Sequence, residues 1–174
     1  MKNLSFSRLF FIIFFFVSFP SVADTLCKKD EINYFTCTIK SSEKIVSLCG
    51  SNYWDLEKHE LITDAWLQYR FGKKNNIELV FPKEKKGSLA KFEAEYHHPY
   101  HGFMHSIGFK NKDANYSIDV DETETNTFYG VIVERDKKTV ELACTGMPTT
   151  PGVGSGIDFY TLIGELADQN NDGK

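Results

Sequence analysis

Phe128-Tyr129-Gly130-Val131-Ile132-Val133-Glu134-Arg135 is the stretch that decides the fold. Aromatic and β-branched residues fill it, and these favour the pleated, half-buried surface of a strand. Side chains alternate along a strand, so Phe128, Gly130 and Ile132 share one face and Tyr129, Val131 and Val133 the other. Asp136-Lys137-Lys138 then reads as a turn, and Thr139–Cys144 as the returning strand of a hairpin. The pattern extends outward. In Ala65–Phe71, the apolar Leu67, Tyr69 and Phe71 face one way and Gln68 and Arg70 the other, and Gly72–Asn76 is a second hairpin turn. With Tyr34–Lys40, Lys44–Cys49, Ile77–Phe81, Leu89–Glu95, Phe103–Lys110 and Tyr116–Asp121, about nine short strands are expected. Strands of this length and spacing indicate an all-β domain, an antiparallel sandwich or barrel.

Both ends depart from this pattern. Lys2 and Arg8 flank the apolar run Leu9–Phe19, and Ser21-Val22-Ala23 follows with small residues, so residues 1–23 read as a signal peptide. The run is shorter than the roughly 20 apolar residues a spanning helix needs, so no membrane insertion is expected after its removal. Residues 24–167 are expected to form a single domain with its own core. Gly146–Gly156, rich in Gly, Pro and Thr, reads as a loop. Ser155 is expected to cap one short C-terminal helix, with Asp158 at its third position. Ile157, Tyr160, Leu162 and Ile163 would form its apolar stripe, ending near Ala167. Residues 168–174 read as a flexible polar tail.

The chain carries a formal charge of −4, and without Lys2 and Arg8 its 18 basic side chains face 24 acidic ones, a charge of about −6. Such a balance argues against nucleic acid and anionic membrane surfaces, which attract basic patches, and suits a basic protein partner. All four cysteines lie beyond residue 23. An even number in an exported chain implies two disulfides, formed in the periplasm or outside the cell. Four cysteines allow three pairings, of which Cys27–Cys37 is expected as a local staple and Cys49–Cys144 as a long-range clamp. No two cysteines have the close spacing of a zinc knuckle.

Phe35-Thr36-Cys37, Ile45–Cys49, Leu67–Gly72 and Ile77–Pro82 together resemble a group of small exported bacterial proteins. That resemblance covers about a third of the chain beyond residue 23 and implies export and a β fold, with no activity attached. The architecture is also similar to that of periplasmic lysozyme inhibitors, cysteine-stapled β domains that present a Ser-Gly loop with a nearby Tyr to the enzyme cleft. Ser155-Gly156 here is followed by Tyr160, later than that pattern places it.

Four histidines, His97, His98, His101 and His105, fall within nine residues. Neutral imidazole is the commonest metal ligand, so the cluster is a candidate zinc or copper site. Pro99 and Gly102 interrupt it, and a His- and aromatic-rich surface loop is the competing reading. Asp119, Asp121, Glu122 and Glu124 crowd one strand end and read as an electrostatic landing patch rather than a glycosidase pair, which needs two carboxyls facing across a cleft. Gly152–Gly156 lacks the lysine and βαβ context of a phosphate loop. Asp168, Asn170, Asp172 and Gly173 match the start of a calcium loop that lacks its final acid.

No nucleophile–base–orienter set can be assembled and no cofactor motif is present, so a binding protein is expected rather than an enzyme. The expected partner is a basic, lysozyme-like cell-wall hydrolase, met by an inhibitor or immunity-type protein. Tyr100, His101, Phe103, Ser155 and Tyr160 are the candidate contacts, with Tyr53 and Trp54 as further loop anchors. The alternative is a periplasmic metal-binding protein using His97–His105.

Overall fold

The computed structural model describes residues 24–55, 57–150 and 158–172. The expected signal peptide, residues 1–23, and Ser155 lie outside them. All nine expected strands form, joined by two short extra ones: β1 (Ile32–Thr38), β2 (Ile45–Gly50), β3 (Trp54–Asp55), β4 (Glu60–Leu61), β5 (Leu67–Lys73), β6 (Asn76–Phe81), β7 (Glu93–His97), β8 (Gly102–Asn111), β9 (Ala114–Thr123), β10 (Thr127–Arg135) and β11 (Lys138–Ala143). Only the expected strand Leu89–Glu95 is displaced, because Leu89–Lys91 tightens into a single 3-10 turn before β7 begins.

Nine of the strands build two antiparallel sheets of order β1-β2-β5-β6 and β11-β10-β9-β8-β7, and β3 and β4 pair with each other. Period-two alternation fixes their inner faces. Register aligns Phe35, Leu48, Tyr69 and Phe81 across the first sheet. Ala94, Ile107, Ile118, Val131 and Leu142 align across the second. The two faces meet through aromatic rings, Phe109 lying 4.4 Å from Phe81 and 5.0 Å from Tyr69. Phe35, Leu48, Ile107 and Ile118 are fully buried, and each such side chain contributes roughly 1.5–3 kcal/mol. Tyr53 is also fully buried, its ring 5.9 Å from that of Tyr34, while Trp54 packs half-buried against the core. Both expected anchors thus complete the domain's own interior.

The sheets are joined along one side. The segment after β11 runs beside β1, with isolated bridges Ile39–Cys144 and Thr36–Thr149. Helix α1 (Phe159–Asp172) packs against β7 and β8 and buries Phe159, Leu162, Ile163, Leu166 and Ala167. It starts later than expected: Asp158, not Ser155, caps it, its carboxylate accepting from the Thr161 N–H at 2.9 Å. It also continues past Ala167 to Asp172, so Asp168, Asn170 and Asp172 lie on helix rather than in a calcium-loop geometry.

The disulfides differ from the expected pairing. The bonds are Cys27–Cys49 and Cys37–Cys144, not Cys27–Cys37 and Cys49–Cys144. Register explains the exchange. Cys37 lies opposite Val46 on the inner face, whereas Cys49 lies opposite Asn33, on the outer face shared with Ser47. Cys37 therefore meets Cys144 where the chain returns beside β1, and Cys49 meets Cys27 above the sheet.

Residues 24–31 form a strap over that outer face. Ser47 Oγ accepts from the Leu26 N–H at 2.9 Å, and Thr36 Oγ1 donates to Val46 O at 2.9 Å. Arg70, 6 % exposed, donates to Leu26 O and grips the Glu31 carboxylate, 1 % exposed, through both terminal nitrogens. Lys85 also bonds Glu31 while lying over the Trp66 ring. Burial by itself would raise the Glu31 pKa. The Arg70 and Lys85 hydrogen bonds and the Lys28 N–H outweigh it and hold the group at about 2.

Candidate functional site

The β7–β8 hairpin carries Tyr100, Phe103 and the four clustered histidines singled out from the sequence. Its connection turns through His101, which adopts a left-handed backbone (φ 59°). Gly102 follows for a steric reason, since a Cβ there would stand 2.3 Å from Glu122 O on β9. This turn lifts Tyr100 out of the domain, 88 % exposed, with its ring edge-on to His101 at 3.8 Å. The His101 Nε2 lies 3.9 Å from a Glu124 carboxylate oxygen, across the neighbouring β9–β10 turn. Tyr100, His101 and Glu124 therefore form one protruding tip.

Beneath the tip, Phe103 and His105 occupy the inner side of β8. His105, 8 % exposed, sits among the rings of Tyr96, His98, Phe103 and Tyr160, at centroid distances of 5.2–6.4 Å. Among the described residues its Nδ1 has no hydrogen-bond partner, and burial, with the nearby His98, lowers its pKa. Tyr160 reaches this cluster from α1, meeting Phe103 at 6.0 Å. Glu122, opposite Phe103, accepts from the Tyr129 hydroxyl. Burial and that carboxylate push Tyr129 up to about 12. The same two causes, with Asp158, raise Tyr160.

The four acids do not form one patch. Alternation along β9 sends Glu122 to the inner side and Asp119 and Asp121 to the opposite, outer face. There Asp119 aligns with Ser106 and Gly130, and Asp121 with Met104 and Phe128. Asp119 is only 7 % exposed. Burial pushes its carboxyl up to about 6, although the Ser117 hydroxyl donates to it at 2.5 Å and opposes the shift. Asp121, also desolvated, is raised too. The carboxylates able to meet a partner near the tip are thus Glu124 and Asp121, joined on β7 by the exposed Glu95.

The histidines are likewise divided. His98 and His105 touch, His101 stands at the tip, and His97 shares the outer face with Met104, its cross-strand neighbour. No three His, Cys, Asp or Glu side chains among the described residues are placed to hold a metal ion. No helix among them is long and apolar enough to cross a membrane.

Two features escaped the sequence reading. The convergence of Tyr160 on His105 depends on how α1 docks, yet the run Phe103, His105, Ile107, Phe109 already placed His105 on an apolar side. The Arg70–Glu31 pair left only a faint trace, an arginine on the polar side of an otherwise apolar strand. No family model, curated protein or solved structure matches the chain.

Proposed function

We propose that this domain is an exported binding protein, resident in the periplasm or the surrounding medium, that blocks a basic cell-wall hydrolase of the lysozyme type. The observation that carries the reading is Tyr100, an almost fully exposed aromatic side chain at the apex of the β7–β8 hairpin near Glu124. Interfaces take most of their energy from a few such anchors, and tyrosine is among the commonest of them. The surrounding carboxylates steer a cationic partner and speed its encounter. The two disulfides fit an oxidising compartment, where hydrolases of this kind act. Inhibition and immunity both require only that the tip fill a cleft; neither asks chemistry of this chain.

The test is lysis of bacterial cell walls by lysozymes of several types, with and without the protein, at low and high salt. Inhibition that weakens with salt is expected. Tyr100→Ala should weaken it by roughly 30-fold or more, the effect of losing a hot-spot side chain. Replacing Asp121 and Glu124 by amides should mainly slow association. If no lysozyme is inhibited and no envelope hydrolase is captured, the reading falls.

A further inference from the structure

At the end of β8 far from Tyr100, the second sheet is incomplete. Strand β7 pairs with β8 only as far as Glu93 opposite Gly108. Before Glu93 the chain turns through Leu89–Lys91, so among the described residues Phe109–Asn111 of β8 have no paired strand on that side. A cleft of about 630 Å³ occupies the gap, within the 300–1,000 Å³ typical of small-molecule sites. Its wall is a column of parallel rings. Phe109 stacks on Phe81 at 4.4 Å and 13°, and on Tyr116 at 4.9 Å and 1°. The Phe81 and Tyr116 rings are only half-buried.

The cleft's polar lining residues are Lys91, Lys110, Asn115 and Glu93, the last three on the outer side of the sheet at its open edge. Among the described residues, neither lysine makes an ion pair and the Asn115 amide makes no hydrogen bond. Two ammonium groups against one carboxylate invert the sign of a chain whose net charge is −4. The edges of stacked aromatic rings recognise another ring by edge-to-face or offset contact, and unengaged ammonium groups recognise an anionic substituent by charge-assisted hydrogen bonds.

We propose that this cleft binds a small organic anion that carries a ring, seated against the Phe81–Phe109–Tyr116 column with its negative group at Lys91 and Lys110. The site is separate from the Tyr100 tip, and the proposal stands whether or not the tip blocks a hydrolase.

Two fluorescent probes test it: 8-anilinonaphthalene-1-sulfonate, a ring-bearing anion, and N-phenyl-1-naphthylamine, its uncharged analogue. The folded protein should bind the anion saturably at one site and the neutral probe at least tenfold more weakly. Lys91→Gln with Lys110→Gln should remove that preference, weakening the anion about tenfold and leaving the neutral probe unchanged. Glu93→Gln should tighten the anion. Gly108→Leu should fill the cleft and abolish binding, since a Cβ there meets nothing nearer than Tyr116 O at 3.4 Å. Near-ultraviolet circular dichroism confirms that each variant keeps its fold. The two lysines are exposed and outside the core, so their double variant decides the matter if Gly108→Leu does not fold. Absence of saturable binding, equal affinity for the two probes, or an anion preference that survives the lysine changes would overturn the assignment.

Discussion

Glu31 and Asp119 are both buried carboxyl groups, and their surroundings push them in opposite directions. Glu31 is ordinarily half-protonated at 4.5 and is held near 2 by Arg70 and its other donors. The folded protein therefore binds this proton less tightly than the unfolded chain. Its stabilising effect is complete above about 4.5 and is lost as pH falls through about 2. Arg70→Ala leaves the Glu31 charge buried without its main partner and should cost about 3–5 kcal/mol, read from denaturant unfolding at pH 7. Asp119 runs the other way. Its folded pKa, about 6, lies above its ordinary 3.8, so folding is favoured when it is protonated and is progressively penalised as pH rises from 3.8 through about 6. Asp119→Asn keeps the shape and removes the charge. It should stabilise the domain by roughly 1–3 kcal/mol at pH 7.5 and by little at pH 3.5. A stabilisation independent of pH would show that ionisation is not the cause.

Among the elements, the strands were legible because period-two patterning is local: Leu67, Tyr69 and Phe71 announce their face without help from the rest of the chain. What alternation does not carry is which partner lies above a given face. Gln68 and Arg70 read only as facing away from the apolar side, and the strap of residues 24–31 covers that face and makes Arg70 a buried partner of Glu31. The cysteine pairing failed for the same reason, since the expected bonds followed separation along the chain while the real ones follow faces of β1 and β2. Helix α1 was foreseen from its apolar stripe and misplaced at its start, because Ser155 and Asp158 are both competent caps and only packing chooses between them. The candidate site was half legible. Tyr100, His101 and Glu124 do meet, whereas treating Asp119, Asp121, Glu122 and Glu124 as one patch ignored the alternation used everywhere else.

For the whole molecule, the two disulfides have unequal tasks. Cys27–Cys49 closes a separation of 22 residues and fastens the strap to one sheet. Cys37–Cys144 closes 107 residues and ties the two sheets together. In the chain-entropy account the shorter loop contributes about 3 kcal/mol and the longer about 4.7 kcal/mol. Replacing each pair by alanine should therefore lower the thermal midpoint unequally, the Cys37/Cys144 variant more. Equal losses in calorimetry would mean that the strap's packing, not loop closure, dominates.

The bridges Thr36–Thr149 and Ile39–Cys144 also govern the order in which the domain can be assembled. As the chain emerges from its N-terminus, β1, β2, β5 and β6 can associate early. The outer edge of β1 must then wait for residues made more than a hundred positions later. Until they arrive, that edge is an open template, free to recruit a strand from a neighbouring nascent chain. Contacts so distant in sequence make folding slow.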